Sequence, residues 1–133
     1  MLRSVFYICP VCGNVIHSMG QAVITCHGIL LKPEEAGPAD EKHGILIECV
    51  EDEYYVRIDH EMTKRHFISF IATATSDRVE MKKLYPEGNA EARFKISGVK
   101  KIYYFCNRDG LFETRPVRVN QGVNQGVNQG TVL

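Results

Sequence analysis

Alternation of apolar and polar residues marks residues 45–106 as a series of β-strands. GILIECV and YYVRI each place apolar side chains at every second position, the pattern of a strand with one buried face. HFISFIATAT is apolar at consecutive positions, which is typical of a central strand covered on both sides. Turn-forming residues separate three further segments of this kind: VEMKKLY, AEARFKI and KIYYFC. Strands and turns at this spacing predict an all-β domain, an immunoglobulin-like β-sandwich.

The segments on either side of these strands differ from them in character. Residues 5–26 have the pattern of shorter strands broken by turns, and so short a stretch buries too little apolar surface to fold alone. ILLKPEEAGPADEK is rich in proline and charge and predicts a linker or long loop. The final NQGVNQGVNQG repeat is of low complexity and predicts a mobile tail. The predicted organisation is a small metal-binding module at 1–36, the sandwich at 37–117 and the tail at 118–133.

Composition and charge exclude several classes of function. The 133 residues include 16 basic and 16 acidic side chains, and this balance argues against a nucleic-acid partner. The apolar runs are far shorter than the roughly 20 residues of a membrane span, so no membrane role is expected. The N-terminus lacks the apolar core of a secretory signal, which favours a cytoplasmic protein. In that setting the five cysteines are better candidates for metal ligands or packed thiols than for disulfides.

CPVCG at residues 9–13 is the clearest chemical motif. Two cysteines three apart on a tight turn direct both sulfurs to one ion, and Gly13 permits the left-handed backbone that the turn requires. Cys26 and its neighbour His27 are candidates to complete a tetrahedral shell with Cys9 and Cys12. Three thiolates and one imidazole suit zinc, and iron is the alternative.

HEMTKRH at residues 60–66 contains two histidines that no regular element brings together. On a helix they point in different directions, and on a strand they stand roughly 20 Å apart. Either the chain turns between His60 and His66 to place them on one metal, or both are solvated at the ends of neighbouring strands. His43 and Cys106 are further candidate ligands, although a cysteine that closes an apolar strand is often only packed. Cys49 alternates with Ile45 and Ile47 and is expected to be a buried thiol.

Taken in order, these pieces resemble the desulfoferrodoxin and superoxide reductase family over roughly residues 5–112. FYICPVCGN with TCHG resembles the desulforedoxin-like N-terminal module of that family, and EKHG resembles its Glu-Lys-His loop. HEMTKRHFI resembles its His-x-Met-Thr-x-x-His motif, and YYFCNRDGLF its Cys-Asn-x-His-Gly-Leu-Trp ending. The resemblance implies a mononuclear non-haem iron held by the imidazoles of His43, His60 and His66 and by the thiolate of Cys106.

Two positions depart from the family pattern. Asp109 stands where the family has the fourth histidine, and His27 stands where it usually has a second adjacent cysteine. If Asp109 ligates, its charge brings a ferrous site with one thiolate to neutrality, which weakens attraction of an anion and favours Fe(III). If Asp109 stays out, three imidazoles and one thiolate suit tetrahedral zinc or a four-coordinate iron.

The resemblance implies an oxidoreductase that reduces superoxide to hydrogen peroxide. Lys42 is then expected to attract the anion, and Glu41 matches the residue that occupies the open iron position in the oxidised state. The implied partners are an electron donor such as rubredoxin and a second copy of the chain in a homodimer. The alternatives are a non-enzymatic iron or zinc protein whose chemistry Asp109 has altered, and an interaction module in which the metals are purely structural.

Overall fold

The structure is a computed structural model that describes residues 3–116. The predicted tail at 118–133 lies outside these residues. The chain divides between Glu35 and Ala36 into two compact units, which we call the N-terminal unit and the sandwich unit and describe separately.

The described residues form strands and turns, with one short 3₁₀ turn at Glu41–His43. The sequence predicts this all-β class, and the structure confirms it. In chain order the strands are β1 (Ser4–Ile8), β2 (Val15–Met19), β3 (Thr25–Cys26), β4 (Ile29–Leu30), β5 (Gly37–Pro38), β6 (Ile45–Val50), β7 (Glu53–Ile58), β8 (Ile68–Ala74), β9 (Val79–Lys83), β10 (Glu91–Lys95), β11 (Lys101–Cys106) and β12 (Gly110–Thr114).

The sandwich unit contains two sheets. One has the order β10-β7-β6 and the other the order β5-β12-β11-β8-β9, with all pairs antiparallel except β12 with β5. Alternate residues of the strands meet in one apolar core, as expected for packed sheets. All seven residues of β8 are buried, which agrees with its apolar sequence on both faces. The core is formed mainly by Ile45, Ile47, Val56, Ile58, Ile68, Ile71, Phe94, Ile102, Tyr104, Cys106 and Phe112.

The N-terminal unit is built from two hairpins, β1 with β2 and β3 with β4. Its buried cluster is small and consists of Tyr7, Cys9 and Leu31, with a few half-buried neighbours. The Tyr7 hydroxyl accepts a hydrogen bond from the Ala22 amide at 2.9 Å and so ties β1 to the segment before β3. A core of this size supplies little hydrophobic stabilisation, as the sequence indicates.

Three features of the sandwich unit differ from the sequence-based expectation. β5 lies within the segment predicted as a linker, and β12 lies in the segment after Cys106 for which no strand is predicted. Both belong to the five-stranded sheet, where β12 pairs with β11 over five residues. Cys49 is expected to be buried and is exposed, because it lies near the end of β6, where burial has fallen off from Ile45 and Ile47 on the same side of the strand. The described residues contain no helix with the length and apolar character that crossing a bilayer requires.

Candidate metal centres

His43 is held in place by a short turn and by aromatic packing. Asp40 caps the 3₁₀ turn, since its Oδ1 accepts a hydrogen bond from the His43 amide at 2.8 Å. The buried Tyr104 hydroxyl donates to the His43 carbonyl at 2.6 Å. Phe112 stacks on the imidazole with ring centroids 4.3 Å apart, and His43 is only 3 % exposed. The ring is therefore fixed at the edge of the core by both its backbone and its side chain.

The chain turns between His60 and His66, as a shared site requires. The Thr63 amide donates to the His66 carbonyl at 3.1 Å, and the His66 amide donates to the Thr63 carbonyl at 3.3 Å. Within this loop the Met62 sulfur packs against the core and accepts the Ile68 amide at 3.3 Å. The two rings meet edge to face with centroids 4.5 Å apart. The turn thus brings together two side chains that no helix or strand would.

Cys106 ends β11 at a change of register. The pairing of β11 with β8 skips Ser69 between Phe105 and Cys106, so the extra residue of this β-bulge lies on β8 and Ile68 joins the same core as Cys106. Cys106 is fully buried, and the turn that follows carries Asp109. Gly110 then starts β12 with φ of 101°, a backbone conformation that favours glycine. Cys106 follows the alternation of β11, two residues after the buried Tyr104, and the turn brings the Asp109 carboxylate to 3.6 Å from its sulfur.

The five side chains converge on one point. One donor atom from each lies within 4.8 Å of the others, and the group consists of His43, His60, His66, Cys106 and Asp109. Asp109 Oδ2 is 2.9 Å from His43 Nε2 and 3.3 Å from His66 Nε2. Cys106 Sγ is 3.6 Å from both His60 Nε2 and Asp109 Oδ2. Ligands at metal–nitrogen distances of about 2 Å and metal–sulfur distances of about 2.3 Å have such separations, so this donor set fits a single ion.

The charges of this cluster are set by burial and by hydrogen bonds. Burial raises the pKa of the Cys106 thiol, while the backbone amides of Arg108 and Asp109 act in the opposite direction by donating to its sulfur. Desolvation raises the pKa of the Asp109 carboxyl, but hydrogen bonds from His43, Cys106 and His66 outweigh it and the pKa lies below its usual value. The cluster therefore combines a carboxylate with a thiol that a metal cation would deprotonate.

Glu41 and Lys42 lie on the 3₁₀ turn beside the cluster, and both are exposed. Glu41 lines an open cavity of about 1090 Å³ together with His60, Asp59 and Asp40. Glu41 and the candidate ligand His60 therefore line the same open cavity. Lys42 contributes a cation at the surface next to the buried His43.

The N-terminal unit contains a second cluster. Donor atoms of Cys9, Cys12, Cys26 and His27 also lie within 4.8 Å of one another. Cys9 Sγ is 3.7 Å from His27 Nδ1, and the Cys12 and Cys26 sulfurs are 3.7 Å apart. The Gly13 amide donates to the Cys9 carbonyl at 2.8 Å with φ of 74°, which closes the expected tight turn. Three sulfurs and one imidazole nitrogen thus meet between two turns, as in a structural metal site.

Hydrogen bonds shift the pKa values of two thiols of this second cluster in opposite directions. The Cys12 backbone amide donates to the Cys9 sulfur and lowers the pKa of Cys9 to about 6. The hydrogen bond from Cys26 to Cys9 raises the pKa of Cys26 to about 11. One thiolate near neutral pH, stabilised by backbone amides, gives a cation its first ligand.

Two residues that contact the sandwich cluster are not among the site residues that the sequence suggests. Asp40 Oδ1 accepts a hydrogen bond from His43 Nδ1 at 2.8 Å, and that bond is the main cause of the lowered pKa of the Asp40 carboxyl. Glu61 Oε2 lies 3.3 Å from His66 Nδ1, and the Glu61 carbonyl accepts from His60 Nδ1 at 2.6 Å. The only sequence signals are an acidic residue three before His43 and another directly after His60.

Fold and site together define a two-unit β-sandwich protein with two clusters of thiol and imidazole groups. No protein family model matches the chain. The chain is 30% identical over 113 residues to a desulfoferrodoxin from Desulfarculus baarsii, an alignment that covers 78% of this chain and 90% of the relative. It is 28% identical over 116 residues to a desulfoferrodoxin homolog from Methanothermobacter thermautotrophicus, covering 78% and 92%.

A solved structure has the same fold. It is the superoxide reductase from Treponema pallidum, which matches with a TM-score of 0.76 and 24% sequence identity over 86% of this chain and 98% of that one. The extent and identity of the match to the Desulfarculus baarsii protein decide the family. This chain belongs to the desulfoferrodoxin family.

Proposed function

We propose that this chain is a superoxide reductase-type oxidoreductase that reduces superoxide to hydrogen peroxide at a mononuclear iron held by the sandwich unit. The observation that carries the proposal is the convergence of three imidazoles, one buried thiol and one carboxylate within 4.8 Å. Membership of the desulfoferrodoxin family and the fold shared with a superoxide reductase support it. His43, His60, His66 and Cys106 would hold the iron, with Asp109 as the fifth ligand.

Ferrous iron bound there would supply the one-electron chemistry by which superoxide, with one electron and two protons, gives hydrogen peroxide, and an external one-electron donor would restore the ferrous state. Cys106 would contribute a thiolate in a buried position, where its sulfur accepts hydrogen bonds from the amides of Arg108 and Asp109. Lys42 draws the anionic substrate toward this end of the sheet by long-range attraction. Glu41 lines the open cavity beside His60 and would supply a carboxylate to the iron in its oxidised state.

The partners and the second metal belong to the same proposal. A small electron donor such as rubredoxin reduces the centre, and the chain functions as a homodimer in the cytoplasm. Cys9, Cys12, Cys26 and His27 bind iron or zinc in the N-terminal unit, because their four donor atoms have the separations of one tetrahedral shell.

Asp109 supports a second candidate, a non-enzymatic metal-binding protein on the same fold. Its carboxylate oxygen lies 2.9 Å from His43 Nε2, inside the ligand cluster. As a ligand it would cancel the remaining positive charge of a ferrous site with one thiolate and so weaken the attraction of superoxide. The two candidates therefore share their residues and differ in the effect of one carboxylate.

Two measurements on the purified full-length chain separate these candidates. For a reductase we expect a thiolate-to-Fe(III) absorption band in the oxidised protein, and loss of superoxide with formation of peroxide and no dioxygen, sustained by an added reductant. Stoichiometric zinc at both sites in protein from iron-replete cells, without superoxide consumption, would support the non-enzymatic candidate.

The Asp109→His variant tests the role of the carboxylate. It restores the imidazole found in the family pattern and raises the site charge by one, so superoxide reduction should become faster. An Asp77→Asn variant is the matched control, because Asp77 is an exposed carboxyl on the β8–β9 turn with no part in the cluster. An unchanged rate in Asp109→His with iron bound would rule out the charge of Asp109 as the limit on activity.

A further inference from the structure

Each imidazole of the sandwich cluster has a partner on its outer nitrogen. His43 Nδ1 bonds to the Asp40 carboxylate at 2.8 Å, and His60 Nδ1 to a backbone carbonyl at 2.6 Å. His66 Nδ1 faces the Glu61 carboxylate at 3.3 Å. In all three rings the Nε2 atom is the one directed at the other ligands.

We propose that Asp40 and Glu61 are positioning residues that hold His43 and His66 with Nδ1 protonated and Nε2 turned to the metal. The inference rests on the proposed metal site but not on its reaction with superoxide. A carboxylate on the outer nitrogen fixes the tautomer and the orientation of a ligating imidazole and makes its other nitrogen a stronger donor.

Asp40 carries the stronger part of this proposal. Its Oδ1 atom accepts from both the amide and the ring of His43, so one oxygen sets the backbone turn and the ring rotation together. His43 is buried, and the stacked Phe112 leaves its ring little other freedom. The Asp40 carboxylate itself is half-exposed, which means that the contact is not needed to satisfy a buried charge.

Glu61 acts on two ligands from one position. Its carbonyl accepts a hydrogen bond from His60 Nδ1, and its side chain faces Nδ1 of His66 across the turn. The Thr63 hydroxyl also donates to the Glu61 carboxylate, at 3.3 Å. Because the Glu61 side chain is exposed and its contact to His66 is longer, its loss should have a smaller effect than the loss of Asp40.

The test must separate the contact with the ring from the cap of the turn. Asp40→Ser keeps a side chain that caps the turn well, but serine is uncharged and too short to accept the hydrogen bond from His43 Nδ1. Asp40→Asn keeps a neutral oxygen that can accept that hydrogen bond. Asp59→Asn is the matched control, since Asp59 is exposed, lines the same cavity and has no hydrogen bond to the described imidazoles through its side chain. The variants are Asp40→Ser, Asp40→Asn, Glu61→Gln and Asp59→Asn, each in the full-length chain.

Zn²⁺ is the probe, because it is diamagnetic and its binding does not depend on turnover. Competition with a chelator, followed through the ring-proton resonances of His43 and His66, reports affinity at the sandwich site alone. We expect affinity to fall about 10–100-fold in Asp40→Ser, less in Asp40→Asn and Glu61→Gln, and not in Asp59→Asn. The His43 Nδ1 proton resonance of the zinc form should be present in the parent protein and lost to fast exchange in Asp40→Ser.

The outcomes distinguish this inference from the proposed function. Equal affinity in Asp40→Ser and Asp59→Asn, with the His43 Nδ1 proton retained, would overturn the positioning role and leave the proposed function standing. Alternatively, the Asp40→Ser variant could bind zinc more weakly and its metal-free form could also unfold at a lower temperature than the metal-free parent protein. That result would assign Asp40 to the turn alone, which also overturns the inference. Weaker binding at unchanged stability supports it, even if the parent protein proves inactive toward superoxide.

Discussion

The two clusters are built in opposite ways. The N-terminal ligands lie within residues 9–27 on two tight turns, and one of them, Cys9, is itself part of the small buried cluster of its unit. The candidate ligands of the sandwich unit come from residues 43–109 and lie on loops and at strand ends, and of these only His43 and Cys106 are buried against the core. A metal site can thus be required for a unit to fold, or it can be added to a unit that folds without it. We expect the first cluster to need its ion for folding, and the second to exist before the ion arrives.

Removal of metal should show the largest difference between the units. A strong chelator is expected to unfold the N-terminal unit, because its few buried residues supply little stabilisation without the ion. The sandwich unit should keep its structure. Amide resonances and hydrogen exchange, recorded before and after chelation, check this for each unit, and a loss of dispersion in both units together would contradict it.

Substitution of one candidate ligand should remove the metal from one unit only, and the effect on structure should again differ between the units. Cys12→Ser is expected to lose the N-terminal metal and the structure of that unit. Cys106→Ser should lose the sandwich metal and its thiolate absorption while amide exchange in the β-sandwich stays slow. The exposed Cys49 gives the control, Cys49→Ser, with both metals retained. Metal content and amide exchange measure each case, and retention of metal in Cys106→Ser would refute the role of its sulfur.

The contact between Tyr104 and His43 tests whether the sandwich site is preformed. Tyr104→Phe leaves the buried His43 carbonyl without its donor, which should lower the free energy of unfolding by about 1–3 kcal/mol. Denaturant unfolding of the metal-free protein measures this, and Tyr85→Phe is the control because Tyr85 is 65% exposed. No difference between the two variants would mean that the metal-free protein does not hold His43 in the observed position.

The smallest expected effect concerns the surface charge beside the site. Lys42→Gln should lower the rate of superoxide reduction several-fold at low salt, on the order of two- to tenfold, and less at high salt where screening removes the attraction. Lys100→Gln, an exposed cation just before β11 and so at the end of that strand opposite Cys106, should leave the rate unchanged. Stopped-flow rates over a range of ionic strength measure both, and equal slopes for the two variants would argue against steering by Lys42.

Sequence patterns predicted most of the strands, because alternation is a local property. The short spacing of Cys9, Cys12, Cys26 and His27 is local as well, whereas His43, His60, His66 and Cys106 are far apart in the chain and were grouped only by the family resemblance. The patterns missed β5 and β12, since a two-residue strand has no pattern and β12 is specified mainly by pairing with β11. The buried position expected for Cys49 was wrong, because alternation gives the side of a strand and not how far along it burial extends. Asp40 and Glu61 were missed because their contacts depend on ring orientation, which residue spacing does not encode.

The register change at the end of β11 limits how this centre can be transplanted into another β-sandwich. Because Cys106 pairs with Ile68 while Phe105 pairs with Phe70, β8 has one extra residue, Ser69, which sets the register between the His66 loop before β8 and the sulfur. A designer who copies the loops with their histidines onto a regular strand pair would shift His66 by one residue relative to the thiol. Transfer of the centre to another protein therefore requires the irregular strand pair of β8 and β11 together with the side chains of the cluster.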